Sequence, residues 1–282
     1  FHRPGSEGID QLGKGTLTLS RVEGSVAYCV CPPEGLDLRD QELFPQYFQK
    51  REIPQRWLIM NLPISVPGIP PIEWIFRGMK VFDFDPRLLK RAVPIMGKTE
   101  LEKDGSNLAI VIKNILEDPV KKAEFFRLIK EMVPFVDEIA VEKFMDMSLF
   151  LKIKEIYSKN KFLPASMISD GTINILALII ALYFEKRPVT IIEEPERNIH
   201  PFLISKLVEM LKDASSSKQI IVTTHNPEMV KQVAIEDILL ISRDSEGFSR
   251  LSRPFTRKEI RTFLEHEIGI EDLFIQNLLG ME

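Results

Sequence analysis

Two short apolar runs, Val189-Thr190-Ile191-Ile192 and Gln219-Ile220-Ile221-Val222, each end abruptly in polar residues. The first is closed by Glu193-Glu194-Pro195-Glu196, the second by Thr223-Thr224-His225-Asn226-Pro227. Both runs have strand length, and residues 202–211 between them carry the apolar spacing of a helix. Strands alternating with helices join as parallel βαβ units. In such sheets ligands bind beyond the carboxyl ends of the strands, so the two polar clusters are expected at one rim of one sheet. The spacing therefore predicts an α/β fold with a mostly parallel sheet and flanking helices. A short helix from Pro227 and a strand over 238–241 continue the alternation. The helix over 172–184 is apolar almost all round, which calls for burial.

The clusters carry chemistry of different kinds. Three carboxylates in four residues repel one another, and at the end of a buried strand they call for a cation or a proton transfer. A solvated acidic turn is the alternative. His225 is one of four histidines in the chain, and at a strand mouth it is either a ligand-sensing group or a satisfied structural residue. A third cluster, Ile168-Ser169-Asp170-Gly171-Thr172, stands directly before the apolar helix. A hydroxyl, a glycine and free N–H groups at a helix start suit an anion, although Ser169 read alone is an ordinary helix cap.

Upstream, Thr16-Leu17-Thr18-Leu19-Ser20 and Val26-Ala27-Tyr28-Cys29-Val30-Cys31 flank Glu23-Gly24 and read as a hairpin. The stretch to Pro71 is rich in proline and charge and is expected to be irregular. Residues 74–84 read as a strand returning to a core. Ser106 is the expected cap of a helix with Leu108, Val111, Ile112 and Ile115 on one side, and a second helix presents Phe125, Phe126, Ile129 and Met132. Strand-like runs follow over 136–144 and 148–157. The expected organisation is a β-rich part over 1–103, a helical α+β lobe over 104–165, a core over 166–255 and a helical tail over 256–282.

Charge narrows the partners. Lys+Arg number 37 against 41 for Asp+Glu, so nothing global calls for nucleic acid, and only a local patch could. Lys152, Lys154, Lys159 and Lys161 around Tyr157 form either such a patch or a solvated strand face. No apolar run approaches the about 20 residues needed to span a bilayer, so no membrane role is expected. The two cysteines, Cys29 and Cys31, lie too close along one strand to pair with each other and fit a reducing, cytoplasmic setting.

Taken in order, the three clusters resemble the ABC-type ATPases, and among them the AAA_21-type predicted ATPases grouped with RecF, SMC and OLD proteins. Ile168-Ser169-Asp170-Gly171-Thr172 is similar to the family signature, residues 191–201 (IIEEPERNIHP) to Walker B with its D-loop, and residues 220–230 (IIVTTHNPEMV) to the switch strand. Weaker likeness extends to Phe82-Asp83-Phe84-Asp85-Pro86 and to residues 104–109. The resemblance implies a P-loop NTPase fold with an inserted lobe before the signature, ATP and Mg²⁺ as cofactors, and ATP hydrolysis in a homodimer that sandwiches the nucleotide. It implies that Glu193 holds the metal through water, that Glu194 is the general base and that His225 senses the γ-phosphate. Ser169, Asp170, Gly171 and Thr172 would face the γ-phosphate of the opposite subunit, with Asn198 and His200 in the D-loop at that interface. Two positions depart from the pattern: Glu193 stands where Asp is usual, and Asp170 where a second glycine is usual.

The family's phosphate-binding loop requires G-x-x-x-x-G-K-[ST] between a strand and a helix. The closest string is Gly8-Ile9-Asp10-Gln11-Leu12-Gly13-Lys14, followed by Gly15 and then by a strand-like run. The expectation is that this chain alone does not hydrolyse ATP, and that a segment carrying the loop, in the same gene or on a separate chain, completes the site. The chain opens on Phe1 rather than Met, in keeping with part of a longer product. Competing expectations are a silent scaffold that keeps the fold and a metal-dependent nuclease using the acidic cluster. DNA is a candidate partner on the resemblance alone.

Overall fold

A computed structural model describes residues 16–22, 25–31, 78–144, 147–159, 161–243 and 246–254. The chain divides into two compact units, Phe1–Gly78 and Met79–Glu282. In the first, β1 (Thr16–Val22) and β2 (Ser25–Cys31) pair antiparallel with Val22 opposite Ser25, the hairpin that the alternation predicts. The expected turn at Glu23-Gly24, the Pro-rich stretch, the Gly8 to Gly15 string and the helical tail from Thr256 lie outside the described residues.

The second unit opens with β3 (Met79–Phe82), the described part of the strand expected over 74–84, then α1 (Pro86–Leu89) and β4 (Val93–Pro94). Helices α2 (Leu108–Glu117) and α3 (Pro119–Met132) follow. The cap of α2 is Asn107 rather than Ser106. Its amide holds the preceding loop instead, accepting from the Glu102 N–H and donating to the Lys98 and Glu100 carbonyls. Asp118 caps α3 by accepting from the Val120 and Lys121 N–H groups. Strands β5 (Val136–Phe144), β6 (Ser148–Glu155) and β7 (Phe162–Pro164) form with β4 a four-stranded antiparallel sheet. On it two lysines are engaged by carboxylates: Lys152 pairs with Glu142, and Lys154 with Asp137 and Glu138.

Then come α4 (Asp170–Ile179), prolonged by a π-helical turn over Ile180–Phe184, β8 (Val189–Glu193), α5 (Ile204–Ser215) and β9 (Gln219–Thr223). A 3₁₀ turn, Pro201–Leu203, precedes α5, which therefore starts later than the spacing indicated. The helix α6 (Pro227–Lys231) follows β9. Strands β3, β8 and β9 form a parallel sheet in that order, with Phe82 opposite Ile192 and Glu193 opposite Thr223. In the central strand Thr190 and Ile192 are 0% exposed. Every residue of α4 from Thr172 onward is buried, so its all-round apolarity has the expected consequence. The Phe125 ring of α3 meets Phe184 edge-on at 5.7 Å between centroids, which ties the lobe to the end of the buried helix.

The run over 238–241 departs from expectation. It forms β10 (Leu240–Arg243), paired antiparallel with β11 (Ser249–Ser252) in a two-stranded sheet of its own rather than in the parallel sheet. Gly247, at φ 87°, lies in the connection that returns the chain, a conformation glycine adopts at no steric cost. A partner so near in sequence is reached at little loop-closure entropy, and Ile241 stays 69% exposed.

Candidate functional site

The carboxyl ends of β3, β8 and β9 are joined by Arg197 and by the backbone of Glu194. Glu194 follows β8 and takes φ 42° although it precedes Pro195, where side-chain-bearing residues favour extended backbone. Two backbone bonds hold it there: its N–H donates to the Thr223 carbonyl at 2.9 Å, and the Arg197 N–H donates to its own carbonyl at 2.9 Å. The first of these fastens the end of β8 to the end of β9. Arg197 then turns back, donating from Nε and Nη2 to Glu194 Oε2 at 3.1 and 2.9 Å and from Nη1 to Asp83 Oδ1 at 3.2 Å. Asp83 is the first residue after β3. The hydrogen bond to Glu194 is the main cause that raises the Arg197 pKa, so the guanidinium is a fixed positive charge between two carboxylates.

His225 projects beyond β9. Its Nε2 lies 4.0 Å from Glu194 Oε1, with the imidazole side chain 91% exposed and that of Glu194 35% exposed. Glu194 thus has one oxygen occupied by Arg197 and the other turned toward the histidine. Glu193 is half-buried on the sheet face of Ile191, opposite Thr223. Glu196, in contrast, is buried and accepts the Thr224 hydroxyl.

The third cluster meets the same turn from behind. Ser169 is the cap of α4, accepting the Thr172 N–H at 3.1 Å and hydrogen-bonded to the Thr172 hydroxyl at 2.7 Å. Gly171 lies against the Asn198 carbonyl so closely that a Cβ would fall inside van der Waals contact. Asn174 Nδ2 donates to the Arg197 carbonyl at 2.8 Å. Asn198 itself sits at φ 63°, a conformation asparagine tolerates better than most residues. Asp170, the acidic departure from the signature pattern, is paired with Lys90 just beyond α1. His200 is exposed and accepts the Phe202 N–H on Nδ1 at 3.2 Å, an ordinary cap of the 3₁₀ turn.

Glu193, Glu194 and His225 are therefore together at one rim, while Gly171 and Asn198 touch each other through the turn that carries Arg197. Sequence reasoning gave no role to Asp83 or Arg197, although both lie in stretches it noted, and did not single out Lys90. Asp83 obeys the rule that found the others, since it directly follows an apolar strand. Lys90 gave no local signal. Among the described residues no three His, Cys, Asp or Glu side chains converge as a metal cage. A cavity of about 610 Å³, lined by Tyr183, Pro188 and Lys218 among others, lies at the amino ends of β8 and β9 and shares no residue with the rim.

A parallel sheet with carboxylates and a histidine gathered beyond its strand ends belongs to the α/β class whose ligands bind at that edge. Within that class the chain belongs to the AAA_21 family, described as "AAA domain, putative AbiEii toxin, Type IV TA system", whose model matches residues 76–231, more than half of the sequence. Among solved structures, the SmcHead bound to the C-winged helix domain of ScpA is similar at 16% identity and TM-score 0.45, covering 62% of this chain and 55% of its own. The Smc head domain with a coiled coil and joint from Pyrococcus yayanosii matches at 18% identity and TM-score 0.39, over 57% of this chain and 34% of its own. An SMC ATPase structure concerned with ATP-driven dimerization and DNA stimulated activation matches at 16% identity and TM-score 0.39, over 53% of this chain and 96% of its own. The chain thus spans about half the length of the first of these. No curated protein sequence matches it. No helix among the described residues is long and apolar enough to cross a membrane.

Proposed function

We propose that this chain supplies the signature, Walker B, D-loop and switch-histidine part of an ABC-type ATPase head that binds ATP with Mg²⁺, closes into a homodimer and reopens on hydrolysis. The observation that carries this reading is the junction of Asp83, Arg197, Glu194 and His225 across three adjacent strand ends. In it Glu194 accepts the proton of the attacking water on Oε1, since Oε2 is engaged by Arg197 and the carboxylate cannot swing away. His225, exposed and beside that oxygen, is free to meet a γ-phosphate. Glu193 is the carboxylate for the metal. Mg²⁺ bound alongside nucleotide needs only one or two protein carboxylates, so a site lacking a three-ligand cage fits it, and the ion would screen phosphate charge.

Ser169, Asp170, Gly171 and Thr172 face the nucleotide of the opposite subunit, with Asn198 and His200 beside them at the dimer interface. Lys90 offsets the charge that Asp170 brings to this helix start. A segment bearing G-x-x-x-x-G-K-[ST] completes the site, and the chain by itself is inactive. We place the protein in the cytoplasm, in DNA repair, DNA maintenance or phage defence, with DNA as a candidate partner.

One observation favours a silent scaffold instead: the Arg197 guanidinium occupies half of the proposed base. Phosphate release from Mg-ATP by the chain joined to a loop-bearing segment separates the two. Glu194→Gln should lower turnover by about 10² to 10⁴-fold. Absent turnover in the parent, or equal turnover in both, leaves the scaffold.

A further inference from the structure

Glu196 is hard to explain as packing. It is 8% exposed, and its Oε2 is buried without a hydrogen-bond partner. A buried carboxylate with an unsatisfied oxygen is destabilising, and each such group in a folded protein calls for an explanation.

What Glu196 holds is the segment that carries His225. The Asn226 N–H donates to Thr224 Oγ1 at 2.9 Å, which occupies a lone pair of that hydroxyl. The single hydroxyl proton is thereby directed to Glu196 Oε1. Asn226 in turn accepts the Glu228 N–H at 2.9 Å on Oδ1 and caps α6. His225 lies between the two tethered residues, and its ring has no hydrogen bond of its own among the described residues, the Glu194 carboxylate being 4.0 Å away. Its position is set by its neighbours. The backbone of Glu196 also receives the Ile199 N–H at 2.9 Å, so one residue anchors both the turn behind Glu194 and the histidine in front of it.

We propose that Glu196 is a positioning residue: through the Thr224 hydroxyl it fixes His225 relative to Glu194, coupling the turn over 195–198 to the segment over 224–226. The functional weight of this tether rests on the nucleotide-sensing reading of His225, but its existence can be tested without nucleotide. In the full chain the ring Cε1–H resonances of the four histidines are recorded by NMR, with His225 assigned through His225→Gln. Thr224→Val and Glu196→Leu should move the His225 resonance to a common new position, the double variant should add nothing, and Thr224→Ser should restore the parental position. Should Glu196→Leu fail to fold, Thr224→Val and Thr224→Ser carry the test. A His225 resonance unmoved by Thr224→Val, or displacements that add in the double variant, overturns the proposal. In the protein joined to a loop-bearing segment, Thr224→Val should lower kcat roughly tenfold to a hundredfold at unchanged KM for ATP, with recovery in Thr224→Ser. Absent turnover in the parent would sink the ATPase reading and leave the tether standing on the NMR result.

Discussion

Glu194 is the residue at which local preference and tertiary structure disagree most. A glutamate ahead of proline favours extended backbone, yet φ is 42°, a strain on the order of 1–3 kcal/mol. The backbone bonds to Thr223 and Arg197 and the guanidinium contact hold it in place. Asparagine tolerates this conformation better, so Glu194→Asn should unfold in urea within about 1 kcal/mol of the parent or above it, while any hydrolysis is lost. A fall of several kcal/mol would show that the glutamate is held for stability rather than for chemistry. The rim was legible in the sequence to the extent that each member ends an apolar run, as Glu193, Glu194 and His225 do. Arg197 was not, because its second partner, Asp83, lies 114 residues away and only the sheet order brings them together. The same holds for Lys90, which meets Asp170 across 80 residues.

Among the elements, the buried helix α4 was the most legible, since its apolarity admits no solvent-facing side. Its far end was not. Over Ile180–Phe184 the helix widens into a π turn, and the Tyr183 hydroxyl donates to Asp213 of α5 at 2.8 Å, with the Met210 carbonyl 3.2 Å away. Burial first, and then the Asp213 hydrogen bond, push the Tyr183 phenol well above its ordinary range. The folded chain therefore keeps a proton that the unfolded chain releases near the ordinary value of 10.0. This contribution is complete below that pH and is lost as pH rises toward the folded-state value. Tyr183→Phe should lower stability by about 0.5–1 kcal/mol near neutral pH, and its deficit against the parent should shrink above about pH 10. Urea unfolding at several alkaline pH values measures this, and a deficit that grows with pH would contradict it. The strand β10 was misplaced for a related reason. An apolar run signals a strand but not its partner, and the nearby β11 captured it.

For the molecule as a whole, alternating strands and helices gave the parallel sheet of β3, β8 and β9, and the polar ends of its strands gave the rim. Open parallel sheets are normally covered on both faces. In the central strand Thr190 and Ile192 are fully buried and Val189 is 8% exposed, whereas Ile221 of the outer strand β9 is 37% exposed. The most direct measurement is the solution mass, by light scattering, of the Glu194→Gln protein joined to a loop-bearing segment, with and without Mg-ATP. Nucleotide should double the mass and ADP should not. A mass that stays monomeric with ATP, while the parent also fails to turn it over, would contradict the assignment of this rim to a nucleotide-driven dimer.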